Sequence, residues 1–185
     1  QRQMCIRDSF KMDLGALVAS LTGDEKIMFL CSPHNPGGRV WSAEELRNVA
    51  LFCETHDIIL VSDEVHHDLI MPGHSHTILA KVAPEISRRL ITLVATSKTF
   101  NIAGIETGSM LIPDPALRQQ VARVRHAMNI SNNRFGMLMA EAAYRGGDEW
   151  LDKLIPYLDA NRKLLNEVID GIQGLSVMNL EATYL

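Results

Sequence analysis

Four short apolar runs, each closed by a polar cluster, punctuate this chain. Residues 26–31 lead into Ser32-Pro33-His34-Asn35-Pro36-Gly37-Gly38, residues 58–62 into Asp63-Glu64-Val65-His66, and residues 90–95 into Thr96-Ser97-Lys98-Thr99. A fourth run, residues 108–112, ends at Pro113-Asp114-Pro115. Continuous apolar runs of this length fit strands buried on both faces, as in a parallel sheet. Between the first two, Ser42 precedes Ala43 and Glu45 follows three residues on, a capping-box pattern. It predicts a helix over about 43–56 with Leu46, Val49, Ala50 and Cys53 on one face. Pro113-Asp114-Pro115 predicts a second helix, through about Met128. The chain turns helical again after Asn133, with Met137, Leu138, Ala142 and Ala143 on one side. A long helix follows from about Glu149 to Ile172, with Pro156 as a kink point. Past Gly171 and Gly174, residues 175–178 and 183–185 read as strands. Strand–helix–strand alternation specifies an α/β fold with a mainly parallel sheet flanked by helices.

This pattern divides the chain into three. Residues 1–9 are polar and aperiodic and read as a foreign or disordered segment. Residues 10–145 carry the sheet, and residues 146–185 read as the truncated start of a small α+β C-terminal domain.

Composition narrows the partners. With 46% hydrophobic and 22% charged residues, the chain is ordinary for a soluble globular protein. A net charge of -4 gives no electrostatic reason to expect nucleic acid or an anionic membrane. The local basic run of Arg118, Arg123, Arg125 and His126 is spaced as the solvated face of a helix. Cys5, Cys31 and Cys53 show no paired spacing, which favours a reducing compartment. No apolar run has the length of a membrane span and no signal peptide precedes the domain, so the cytoplasm is expected.

The polar clusters carry the candidate chemistry. In such sheets the strands' carboxyl ends collect ligand-binding groups. Lys98 follows the third run, and a lysine there becomes a Schiff-base nucleophile when burial or a neighbouring cation activates its amine. An ordinary surface lysine is the alternative. Asp63 follows apolar residues, so its carboxylate needs a cationic partner; a protonated pyridine nitrogen or a salt bridge to Arg39 would serve. Asn35, between two prolines and before two glycines, presents its amide inward or marks an ordinary turn. An amine, a carboxylate and an amide at one sheet edge suggest a pyridoxal phosphate site. His66, His67, His74 and His76 with Asp63, Glu64 and Asp68 match no compact metal-ligand spacing, so no metal is expected. His66 reads as a neighbour of the cofactor, while His74 and His76 read as part of a glycine-containing surface loop. Dinucleotide, phosphate-loop and nucleophile-elbow glycine motifs are absent from the sequence.

Jointly, Asn35-Pro36-Gly37-Gly38, Ser62-Asp63-Glu64-Val65-His66 and the stretch from Ser97-Lys98-Thr99 to Gly104 resemble the class I/II aminotransferase family. That family is pyridoxal phosphate-dependent and of the aspartate-aminotransferase fold type. The resemblance spans about residues 12–185 and is closest to the cystathionine β-lyase, or carbon–sulfur β-lyase, branch. It implies part of the large domain of that fold, at about half the usual family length, within a homodimer whose subunits complete each other's sites. It also implies pyridoxal 5'-phosphate bound covalently at Lys98, with Asp63 at the pyridine nitrogen and Asn35 at the ring oxygen and substrate carboxylate. His66 would stand beside the cofactor, and Ser97, helped by Thr96, would hold the phosphate. Two departures sharpen the reaction. His66 stands where aminotransferases usually have tyrosine, and Glu106 where they usually have a phosphate-binding arginine. Both point to the lyase branch: Lys98 would remove the α-proton of an amino acid bearing sulfur on its β-carbon. Loss of the thiolate would lead to a thiol, pyruvate and ammonia. A class I/II aminotransferase is the alternative, and a non-catalytic protein of the same fold the third reading.

Overall fold

The computed structural model describes residues 11–184, and the expectation for residues 1–9 lies outside them. The apolar runs form four strands in the order β1 (Ile27–Cys31), β2 (Ile59–Asp63), β3 (Leu90–Val94) and β4 (Ser109–Leu111). The first three are parallel and β4 runs antiparallel to β3. Helices intervene as α1 (Leu14–Ser20), α2 (Ala43–Thr55), α3 (Leu79–Val82), α4 (Pro115–Ala127), α5 (Arg134–Gly146) and α6 (Asp148–Asp170). Short 3₁₀ turns occupy Pro84–Arg89 and Ala103–Ile105.

Strand alternation sends neighbouring residues to opposite faces. Leu30, Leu60 and Leu90 join Leu46, Val49, Ala50 and Cys53 of α2, together with Leu79 and Ile86, in the larger core. Val61 and Ile91 face the other way, against Ile112 and Leu117. Capping explains where the helices begin. Ser42 Oγ accepts from the Glu45 N–H, and the Glu45 carboxylate accepts from the Ser42 N–H, closing the box ahead of α2. Asp114 accepts from Leu117 N at 2.7 Å ahead of Pro115, the first residue of α4. Asn133 accepts from Gly136 N and donates to Ile105 O, tying α5 to the loop before β4. α6 continues through Pro156.

Two expectations fail at the C-terminal end. Residues 175–178 form no strand, nor do the described residues 183 and 184 of the last expected strand; just before them Ala182 makes an isolated bridge to Ile70. A strand exists by pairing, and apolar content without a ladder partner leaves the backbone irregular.

Candidate active site

The register of the parallel strands brings the polar clusters to one edge. Cys31 pairs with Asp63, and Asp63 with Leu93, so β1, β2 and β3 end nearly level. The ladder runs one step further, through Ser32 N to Asp63 O and Glu64 N to Leu93 O, both at 2.9 Å. Asp63 is the last residue of β2, and Asn35, His66 and Lys98 follow these ends.

Each candidate is held from behind. In the Asn35 loop the Ser32–Pro33 and Asn35–Pro36 bonds are both cis. His34 N donates to Arg39 O and Gly38 N to His34 O, closing the turn. Asn35 N donates to Cys31 Sγ at 3.4 Å. Gly38 has φ +62, where an L side chain is strained, and a Cβ there would press on Leu180 Cδ1 and lie 3.1 Å from Ala182 O, so glycine eases the approach of the C-terminal segment to this loop. Glu181 N and Ala182 N both donate to Gly38 O, and the Glu181 carboxylate accepts from Val40 N. Arg39, a candidate partner for Asp63, pairs with Glu45 at 2.6 Å and lies over the Trp41 ring. Asp63 itself accepts from Val65 N at 3.2 Å.

Behind β2, Glu64 is almost fully buried. Its carboxylate accepts from Ser62 Oγ at 2.9 Å, from His76 Nε2 at 2.9 Å and, more weakly, from Leu79 N. This corrects the expectation for His76, which leaves the surface loop because an otherwise underpaired buried carboxylate demands a donor; His74 does remain exposed. His67 Nδ1 bonds the Glu64 carbonyl oxygen. Among the described residues no three histidine, cysteine or acidic side chains group to hold a metal ion.

His66 is buried, with its ring centroid 6.3 Å from that of Tyr184. Burial pushes its pKa below the ordinary imidazole value, the Lys98 ammonium adds to this, and Asp63 pulls the other way. The imidazole therefore senses both candidate charges. Lys98 and Ser97 are partly buried, Thr96 and Thr99 fully, and Glu106 is exposed in the left-handed region at φ 48.

Buried polar atoms normally have partners. Asn35 Oδ1, His66 Nδ1, Thr96 Oγ1 and Thr183 Oγ1 are buried and make no hydrogen bond within the described protein. The first three belong to loops after β1, β2 and β3 in turn. Thr183 was not anticipated: its N–H donates to Leu69 O and its φ is +69, rare for a β-branched residue. Asp68, Trp150 and Tyr184 were also missed as neighbours of the Lys98 loop. Their contacts span 31 to 86 residues of sequence, which no local pattern encodes.

Comparison with known proteins follows the same lines. Residues 2–185 match the family model described as aminotransferase class I and II. The chain is 34% identical over 180 residues to cystathionine beta-lyase PatB of Bacillus subtilis, covering 96% of this chain and 46% of that one. Cystalysin from Treponema denticola, solved with a pyridoxal 5'-phosphate cofactor, superposes with a TM-score of 0.89 at 32% identity, covering 95% of this chain and 45% of its own. N-succinyldiaminopimelate aminotransferase from Mycobacterium tuberculosis gives a TM-score of 0.82 at 28% identity, covering 97% and 46%. The chain spans about half the length of the curated relatives it matches.

Proposed function

We propose a function from one premise: the chain belongs to the aminotransferase class I and II family. We read it as the lysine-bearing part of a pyridoxal 5'-phosphate enzyme that eliminates a thiol from an amino acid bearing sulfur on its β-carbon. Pyruvate and ammonia are the other products. One observation carries the reading. Three buried, unpartnered polar atoms, on Asn35, His66 and Thr96, follow the ends of three adjacent parallel strands, the same sheet edge at which Asp63 and Lys98 lie.

The residues present fit that cofactor. Lys98 Nζ would bind its carbonyl carbon, and Asp63 would pair with the ring nitrogen. Asn35 and His66 would meet the ring-oxygen side, and Ser97 and Thr96 would donate to phosphate. The bound ring supplies an electron sink for charge developing at the substrate's α-carbon. The chain's own groups do the rest. Lys98 Nζ takes the α-proton, Asp63 keeps its partner nitrogen cationic, and the low-pKa His66 stays a neutral hydrogen-bonding group beside the lysine. A thiolate is a good leaving group, so no dedicated acid is required for its departure.

Glu106 and His66, standing where the aminotransferases that the sequence resembles usually have arginine and tyrosine, support elimination over transamination. Likeness to PatB, which bears the name cystathionine beta-lyase, supports it as well. Transamination is the second reading, favoured by the likeness to N-succinyldiaminopimelate aminotransferase. The proposal includes a homodimer in the cytoplasm, with residues 146–185 opening a second domain. Among the described residues no helix is long and apolar enough to cross a membrane. Purified protein supplied with the cofactor and offered cystathionine or cystine should release pyruvate. Amino-group exchange with a keto acid and no pyruvate would replace the lyase reading by the second one.

A further inference from the structure

The chain at and just after Lys98 is gripped by side chains from three distant places. Thr99 is fully buried, and its Oγ1 donates to Asp68 Oδ2 at 2.9 Å. Trp150 Nε1, in the first turn of α6, donates to Thr99 O at 3.0 Å. Tyr184 OH donates to Lys98 O at 3.3 Å. Next to them Phe100 packs so closely on the start of α6 that a Cβ at Gly147 would lie 2.1 Å from its Cε1. Of the loop's own bonds, Phe100 N to Thr96 O and Ile102 N to Ser97 O leave both gripped carbonyls aside, while Asn101 N makes only a long contact of 3.5 Å to Lys98 O.

A lysine side chain is long and rich in rotamers, so where its amine can reach depends on how firmly its Cα and flanking peptides are held. Reaction requires reacting atoms held within a few tenths of an ångström, and a misplacement of about 1 Å costs about a hundredfold in rate. Fixing the Lys98 and Thr99 carbonyls restrains the two successive peptide planes that follow the Lys98 Cα, the first of which directly bears on the side chain's direction. Asp68 is itself braced, its other oxygen lying 3.4 Å from His67 Nε2.

We propose that Asp68, Trp150 and Tyr184 are positioning residues that aim the Lys98 amine by clamping its main chain through Thr99 and its own carbonyl. The inference rests on the reading of Lys98 as the reactive amine. Two of the three clamps come from the chain beyond residue 146, so the placement of that region is transmitted directly to Lys98.

The test compares Thr99→Val, which keeps shape and loses the donor, with Thr99→Ser, which keeps the donor, alongside Trp150→Phe and Tyr184→Phe. In the enzyme with cofactor, Thr99→Val and Trp150→Phe should lower kcat about 10- to 100-fold with KM nearly unchanged, and Tyr184→Phe less. Thr99→Ser should restore kcat to within about threefold of the parent. Hydrogen exchange of the cofactor-free protein supplies a second readout. Amides of residues 97–102 should exchange about tenfold faster in Thr99→Val and Trp150→Phe, with protection elsewhere unchanged. Thr99→Val matching Thr99→Ser in both readouts would overturn the clamp, as would faster exchange spread over the whole protein. If Thr99→Val fails to fold, Trp150→Phe and Tyr184→Phe carry the same two readouts. If the parent shows no lyase or transaminase activity, the functional reading fails, while the exchange experiment still decides whether these residues hold the Lys98 main chain.

Discussion

Replacing His76 with leucine should cost far more stability than its place in a loop suggests. The side chains of His76 and Glu64 are only 9% and 3% exposed, and Nε2 lies 2.9 Å from the carboxylate oxygen. A carboxylate only accepts, so Nε2 carries the hydrogen. Without it, Glu64 retains Ser62 Oγ at 2.9 Å and a long contact to Leu79 N at 3.4 Å. Leaving a buried acceptor short of a donor costs about 1–3 kcal/mol, and with two surviving donors the loss here should be about 2 kcal/mol. Replacing both residues by leucine removes the stranded charge, so the double variant should lose less than the sum of the singles, with a coupling of about 1–3 kcal/mol. Urea unfolding at pH 7 of the four proteins measures each value. A loss below about 1 kcal/mol for His76→Leu, or additive singles, would refute the account of Glu64 as an anchor for the turn carrying Asp63 and His66.

Other consequences are open to measurement. His66 is held below its ordinary pKa by burial and by Lys98. The unfolded chain therefore takes up a proton near pH 6.5 that the folded chain resists, and stability falls as pH drops below that value. His66→Gln should flatten the decline between pH 7.5 and 5.5 in urea titrations, and an unchanged slope would contradict this. Gly38→Ala forces an L residue into the left-handed region and pushes against Leu180, so it should cost about 1–2 kcal/mol and raise hydrogen exchange at residues 181–184. Normal protection of that segment would show that its docking on Gly38 is not tight. Burial pushes the Cys53 thiol up to about 12. A thiol reagent at pH 8 should therefore leave Cys53 unmodified in the folded protein and label it in urea; rapid native labelling would place it outside the core.

Local chemistry made much of this molecule legible in its sequence. The capping box at Ser42 and Glu45, the Asp114-Pro115 start of α4 and the apolar strand runs need only near neighbours, and each forms as read. The alignment of the Asn35, Asp63 and Lys98 loops followed from parallel-sheet logic, because strands in register end together. What escaped was long-range. His76 read as a surface residue because nothing nearby shows that the Glu64 carboxylate is buried and short of donors. Residues 175–178 are apolar enough for a strand, but a partner is a tertiary fact. The grip of Trp150 and Tyr184 on the Lys98 loop is likewise set by packing across the fold.

The central claim is that Lys98 is the residue that binds the cofactor. Incubating the protein with pyridoxal 5'-phosphate, reducing with borohydride and mapping the peptides by mass spectrometry tests it directly. The account predicts a phosphopyridoxyl group on Lys98, stoichiometric with protein and lost in Lys98→Ala. Modification spread over exposed lysines, or concentrated on one other than Lys98, would contradict it.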